Sequence, residues 1–468
     1  MTGRWISVVI VFFTLNLYSQ TVDTISKVDT LVTVGRIKIT GNKITRDKII
    51  TRELEFHSGE QLTISELRKK IVKSRENLLN RQLFNFVTIE TSDSGDYRNI
   101  SIDVVERWYI WPVPILGLAD RNFNVWWETK DFSRVNYGVD LKDANFRGRM
   151  EKLHLFLQGG YDKKIVGKWV IPYLNKHQNL GMTLAGGLKY NHETAFKDTL
   201  NRPVFYRFED DFARKNYFGE LGFSFRPGFN SLHYFTITYN NLWYNDSLLL
   251  FNPDLTYGKD HYQYFDLFYK FKLDYRDYAP YPLNGYYFDF SLRKTGLGIL
   301  SKDVDLWSST FNFDQYFQIY KRFYFAYRIT AFYSNQEKFQ PYFLTTGIGF
   351  DDFEMRGYEL VVVRGQKMLL FRSNVKFELI PMKVHRIKFI KSEKFGKLFY
   401  ASYLNLFFDT GYADDQQTFN NNPLGNKMLW TLGAGLDIIS FYSIVIRLEY
   451  SINRQKETGF YVAFVAPI

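Results

Sequence analysis

From Trp108 to the end of the chain, side chains alternate in character with a period of two. Phe265, Leu267, Tyr269, Phe271, Leu273 and Tyr275 share one face, while Asp266, Lys270, Lys272, Asp274 and Arg276 share the other. The same pattern sets Ile444, Ile446, Leu448 and Tyr450 against Val445, Arg447, Glu449 and Ser451, and Tyr286, Phe288, Phe290 and Leu292 against Asp289, Ser291 and Arg293. A period of two belongs to β-strands, whose successive side chains point to opposite faces. A soluble sandwich would turn such an apolar face inward. Here the polar face is dense in charge and the apolar face dense in rings, which suits strands with water on one side and hydrocarbon on the other. Aromatics are 19% of the chain, whereas a soluble core relies on Leu, Ile, Val and Ala. No internal run reaches the ~18 apolar residues of a membrane-spanning helix. The remaining way to cross a bilayer with every backbone polar group satisfied is a closed barrel. About sixteen alternating segments are legible between polar turns, an even number as in bacterial barrels.

Ahead of this region the pattern differs. Residues 1–20 carry Arg4, an apolar run from Trp5 to Leu17, then Tyr18, Ser19 and Gln20. That is the shape of a cleaved secretory signal peptide, too short for a membrane anchor. Residues 21–30 read as a polar linker. Residues 31–107 read as a compact unit of their own. Val34 to Ile39 form a strand closed by the turn signal Gly41-Asn42. Thr45 can cap a short helix bearing Ile49 and Ile50. Thr63 and Glu66 have capping-box spacing, and Ile64, Leu67, Ile71 and Leu78 line one face of the helix that follows. Phe86 to Thr91 and Asn99 to Val105 alternate as two strands around Ser92 to Asp96. This β-α-α-β-β order, with Gly41-Asn42 before Thr45 and Leu83-Phe84 before Val87, resembles a POTRA domain, the polypeptide-transport-associated module. The resemblance implies an exposed strand edge that can take an extended client. Val87, Thr88, Ile89, Glu90 and Thr91 are the candidate client-binding edge.

Composition narrows the function classes. The net charge of +11 would suit nucleic acid, but Lys and Arg are scattered along the alternating segments, with no basic helix and no aromatic nucleic-acid motif. Cysteine is absent, so disulfides, thiol catalysis and thiolate metal sites are excluded. No nucleophile elbow, zinc-protease helix or dinucleotide fingerprint is present, and the 7 His are dispersed. The sequence therefore points to no enzyme, no metal, no cofactor and no nucleic-acid partner.

The densest constellation lies between Phe350 and Gly411. Glu354, Met355, Arg356, Gly357 and Tyr358 sit in a loop, at about 335–366, between two strand-like runs. If Val375, Phe377 and Leu379 face lipid, Glu378 faces the lumen. If Leu404, Leu406 and Phe408 face lipid, Asp409 joins Asn405 inside. Two unpaired carboxylates in an interior call for a cation. Arg356 can bond a carboxylate through two N–H groups at once, with Gly357 giving a tight turn beside it and Tyr358 packing on the wall. On the residues alone, this pairing stands beside the ordinary alternative of a solvated loop arginine.

Arg356-Gly357-Tyr358 resembles the inward-folded loop tip of the outer-membrane protein assembly superfamily, the bacterial surface antigen family. Phe408-Asp409-Thr410-Gly411 matches its next strand motif. Asp274-Tyr275-Arg276-Asp277 with Pro282 and Gly285 is similar to its Asp-x-Arg…Pro…Gly segment. Asn145-Phe146-Arg147-Gly148 matches an early turn, and Gly433-Ala434-Gly435-Leu436 with Arg447-Leu448-Glu449-Tyr450 resembles its penultimate strands. The resemblance runs in order from about Val34 to the end. It implies a sixteen-stranded antiparallel outer-membrane β-barrel over 108–468, preceded by one small α+β POTRA domain. It implies a lumenal loop clamp of Arg356, Gly357, Tyr358, Glu378 and Asp409. It also implies an insertase or translocase in the outer membrane of a bacterial cell, with the POTRA domain in the periplasm. Its partners would be unfolded outer-membrane or secreted client proteins, the lipid bilayer and accessory lipoproteins. Clients would be templated at a seam between first and last strands, near Tyr109 to Leu118 and Gly459 to Phe464. The alternative is a passive outer-membrane pore or receptor, which shares the barrel but needs neither a POTRA unit nor a clamp. A single POTRA unit before Trp108, the Phe123 to Trp127 stretch and the ending at Ile468 depart from the family pattern.

Overall fold

The computed structural model describes residues 30–118, 135–335, 341–350, 353–390, 392–416, 422–440, 442 and 444–464. The signal-peptide reading of 1–20, nearly all of the linker, the Phe123 to Trp127 stretch and the final residues 465–468 lie outside them.

The N-terminal domain runs β1 (Leu31–Thr40), α1 (Asp47–Thr51), β2 (Gln61–Thr63), α2 (Ile64–Asn80), β3 (Phe84–Ser94) and β4 (Tyr97–Glu106). Its sheet order is β2-β1-β4-β3, with β1 parallel to β4 and the other neighbours antiparallel. The short β2 is an element the alternation did not signal, since three residues are too few to show a period. Val34, Ile50, Leu67, Leu78, Phe84 and Ile102 bury one face of the sheet against α1 and α2. The capping box forms as spaced: Thr63 Oγ1 accepts from Glu66 N at 3.2 Å, and Thr63 N donates to Glu66 Oε2 at 3.0 Å. Thr45 does not cap α1. The N-cap is Arg46, without a side-chain bond, and the Thr45 hydroxyl goes instead to the Tyr109 hydroxyl at 3.0 Å. A threonine one residue too early cannot reach the free amides of the first turn.

The remainder is one 16-stranded antiparallel sheet, its strands joined in chain order. Its strands are β5 (Ile110–Leu118), β6 (Val135–Phe146), β7 (Glu151–Gly160), β8 (Lys163–Ile171), β9 (Leu180–Asn191), β12 (Arg214–Phe225), β13 (Ser231–Tyr244), β14 (His261–Asp274), β15 (Gly285–Thr295), β16 (Leu306–Tyr320), β17 (Phe323–Ser334), β20 (Lys367–Arg386), β21 (Lys397–Asp414), β22 (Leu429–Ile439), β23 (Val445–Asn453) and β24 (Thr458–Phe464). The other numbers belong to hairpins in loops: β10 (Glu193–Thr199) with β11 (Arg202–Arg207), and β18 (Gly347–Ile348) with β19 (Val363–Arg364).

The two faces separate as the alternation requires. Leu155, Leu184, Phe223, Phe235, Phe311, Leu369, Leu406 and Leu432 stand exposed on the outside, an apolar surface far larger than water-soluble proteins tolerate. The inside is charged. Asp314 lies opposite Arg328, Arg328 opposite Arg372, and Arg372 opposite Asp409, so one belt of charge crosses four strands. Within it Arg328 Nε donates to the buried Asp314 at 2.6 Å. Among the described residues no ladder joins β24 to β5, so the sheet ends in two strand edges.

Candidate functional site

The loop between β17 and β20 folds into the lumen. Ile348, Phe353, Met355, Tyr358 and Val363 form an apolar cluster with Met368, Leu370, Ala413 and Leu429 of the wall, which removes the loop tip from water. Gly357 turns the chain beside Arg356 with φ +76°. A Cβ there would lie 2.9 Å from Thr431 Cγ2, and the Gly357 carbonyl accepts from Asn453 Nδ2 at 2.9 Å. Both the left-handed backbone and the close wall thus demand glycine. Gly357→Ala is expected to lift the tip off the wall and speed proteolysis of the loop several-fold, with little change in β-sheet content by circular dichroism.

This turn delivers Arg356 to the wall. Its Nε donates to Asp409 Oδ2 at 2.7 Å and its Nη2 to Asp409 Oδ1, a bidentate pair with a fully buried carboxylate. Nη1 donates to Asn374 Oδ1 at 2.8 Å and to Glu449 Oε1 at 3.3 Å. The guanidinium also lies 3.9 Å from the Phe407 ring centroid. Stacking on a ring holds the fork flat while its edges bond, which an ammonium could not reproduce. Below this layer Arg447 Nε donates to Asp437 Oδ1 at 2.9 Å and lies 3.6 Å from Glu449 Oε1. The Tyr281 hydroxyl, from the turn between β14 and β15, donates to Asp437 Oδ2 at 2.8 Å. Glu449 therefore belongs to both layers.

The structure brings Arg356, Gly357, Tyr358 and Asp409 together and leaves Glu378 out. Glu378 is six residues along β20 from Arg372, the residue opposite Asp409, which is about 20 Å along the strand. Its contacts are Tyr403 Oη at 3.4 Å and Arg322 at 3.9 Å. Glu378 shares the face of Asn374 and Lys376 but lies at a different height from Asp409. The second acid is Glu449, whose inward face the alternation with Arg447 and Ser451 already marked. The sequence offered no means of levelling β23 with the loop tip.

At the far end, the hairpin β10–β11 grips the root of the same loop. Arg364 Nε donates to Asp198 Oδ2 at 2.7 Å, and Asn201 Nδ2 donates to the Val362 carbonyl at 3.1 Å. Asn422, from the loop after β21, donates to the Arg364 carbonyl at 2.9 Å. Sequence reading named none of these, because loop-to-loop bonds leave no period.

At the other end the N-terminal domain sits across the mouth. Glu53, buried, accepts from Arg226 Nη1 at 2.6 Å and Nη2 at 2.8 Å, in the turn between β12 and β13. Burial alone would raise its carboxyl, but Arg81 and Arg226 outweigh that and hold it below the usual glutamate range. Arg52 Nη2 donates to the Gly228 carbonyl at 3.0 Å, and Arg46 N to the Gly148 carbonyl at 3.0 Å. Asn80 accepts from Ala279 N at 2.9 Å, Asn85 donates to the Lys394 carbonyl at 3.1 Å, and Trp108 N donates to Tyr442 Oη at 2.9 Å. These turns are spread around the wall, so the domain covers the opening. Strand β3 is an outer edge of the domain sheet, with Thr88, Glu90 and Thr91 exposed, Ile89 half-buried and Val87 buried.

Comparison with known proteins fits this architecture. Residues 32–107 match POTRA, described as a surface antigen variable number repeat, and residues 145–361 match the Omp85 superfamily domain. No curated protein matches in sequence. CdiB from Escherichia coli is similar in structure, with a TM-score of 0.50 at 12% identity over 93% of this chain and 74% of that one. CdiB from Acinetobacter baumannii gives 0.49 at 12%, over 92% and 74% of the two chains. BamA from Haemophilus ducreyi lacking POTRA domains 1-3 gives 0.48 at 14%, over 92% and 83%. At such identity the likeness concerns the fold alone. With its POTRA domain matched ahead of an outer-membrane barrel whose strands carry the Omp85 domain, the chain belongs to the Omp85 superfamily.

Proposed function

We propose that this protein inserts client proteins into the outer membrane or moves them across it, by offering a strand edge at the barrel seam. The POTRA domain lies in the periplasm and receives extended clients along β3, at Val87 to Thr91. The barrel performs no covalent chemistry. Arg356, Asp409 and Glu449 hold the loop in place, and accessory lipoproteins join the POTRA domain as partners. The observation that carries this reading is the pair of strand edges, β5 and β24, which among the described residues share no ladder, beside a POTRA domain. Exposed edges template the pairing of other chains.

The test is a quantitative protein census of outer membranes after depletion of this chain. Loss of many unrelated barrels identifies an insertase, and loss of one exported protein identifies a dedicated transporter. If both pools hold steady while small-solute uptake changes, the protein is a pore and the proposal fails.

A further inference from the structure

The two edges of the seam are not equivalent, and the reason lies in β5. In an antiparallel ladder, alternate residues turn their N–H and C=O toward the same neighbour. Ala144 N donates to the Tyr109 carbonyl at 3.0 Å. That pair continues the register in which Ile110 faces Asp143 and Trp111 faces Lys142. Residues 109, 111, 113, 115 and 117 therefore turn their backbone groups to β6. Ile110, Pro112, Pro114 and Leu116 turn theirs to the open edge. The Ile110 carbonyl bears this out, since it is free to accept from the indole of Trp108. Proline has no N–H, and its tolerated place in a sheet is an edge where no ladder bond is needed. Between Ile110 and Leu116 the β5 edge thus carries acceptors and no donor.

The same construction on β24 gives the opposite result. Asn453 N donates to the Glu457 carbonyl at 3.0 Å, in the register that sets Ile452 against Thr458. Residues 457, 459, 461 and 463 turn to β23. Thr458, Phe460, Val462 and Phe464 turn to the seam, each with a donor and an acceptor. Phe460 and Val462 also stand exposed on the lipid face. Nothing in the hydrocarbon can satisfy those groups except another strand.

We infer that Pro112 and Pro114 keep the seam from zipping shut, and that they make β24 the edge on which an incoming strand is templated. The occupant is an extended client segment with alternating apolar side chains, running antiparallel to β24. The client part of this inference rests on the proposed function; the unequal edges do not. A first-to-last ladder would be broken at two successive positions of β5, whereas a client strand with a full set of N–H groups completes every bond β24 offers.

Two measurements test this. The first needs no client: amide hydrogen exchange over Thr458–Phe464 in nanodiscs, for the native protein and for P112A/P114A. The restored donors should close the seam and slow exchange at residues 458, 460 and 462 at least tenfold. Equal exchange in the two proteins overturns the zipping claim. The single variants P112A and P114A should give intermediate protection and carry the test if the double variant does not fold. The second uses the absence of native cysteine. Single cysteines at Phe460 or at Val113 are offered to an arrested client strand that carries a cysteine. Cross-links to residue 460 should exceed those to residue 113 at least fivefold. Equal capture, capture mainly at residue 113, or capture at neither overturns the assignment of the templating edge. Failure of the insertase reading itself is seen separately, in the membrane census.

Discussion

Arg356→Ala is expected to leave a folded barrel whose lumenal loop is loose and whose client assembly is lost or nearly so. The expectation follows from what the substitution strands. Asp409 is fully buried and bonds both its oxygens to Arg356, and Glu449 shares the same guanidinium. Removing one partner of a buried pair and leaving the other charged costs about 3–5 kcal/mol. The loop's apolar cluster with the wall opposes that penalty only in part, so the loop should populate a released state. Arg356→Lys should do little better. One ammonium cannot meet Asp409, Asn374 and Glu449 together, and it loses the flat stack on Phe407. Limited proteolysis of the loop and an assembly assay read the effect. Glu378→Gln serves as control and should change neither. Native protease resistance and native assembly in Arg356→Ala would remove the clamp from the account.

The second large effect is expected at the mouth. Glu53→Arg or Arg226→Glu should swing the domain off the barrel, because each buries like charges where a bidentate ion pair stood. At about 3–5 kcal/mol the docking equilibrium constant should fall by roughly two to three and a half decades. Channel conductance in planar bilayers should rise for each single variant and fall back toward native when the two are combined. The pair also sets a pH dependence. Arg81 and Arg226 hold the docked Glu53 carboxyl below the usual glutamate range, and of the two only Arg226 leaves on undocking, so the undocked group should titrate higher. Its contribution to docking is therefore complete above that undocked value and is lost as pH falls through the lower, docked one. Unchanged conductance in both single variants would show that other contacts hold the domain.

Much of the barrel was legible because burial and polarity repeat every second residue along each strand. The faces of Phe265 to Arg276 and of Ile444 to Ser451 needed no neighbour to be read. The POTRA helix was legible for a similar reason, with Thr63 and Glu66 marking its start. What escaped is whatever depends on height between strands. Parity says which way Glu378 points, but only the register with β21 says it lies far from Asp409. Register is fixed by turns and by every neighbouring pairing, which no single strand records. Glu449 escaped for the same reason, and so did Glu53, an acid in the turn after a short helix with nothing in its own segment to announce Arg226. Thr45 failed by one residue, the ordinary uncertainty of a helix end.

One consequence remains in the lengths of β20 and β21. They run to 20 and 18 residues, where about ten suffice to span the hydrocarbon. The surplus stands outside the bilayer as a bracket, and its tip, at Lys394 and Phe395, meets Asn85 and Trp108 of the domain and the strand entering the barrel. Any movement of the domain away from the opening must either tear this footing or carry the bracket along. Because the bracket continues directly into the wall that holds Asp409 and Asn374, a displaced domain would pull on the loop's anchorage from below.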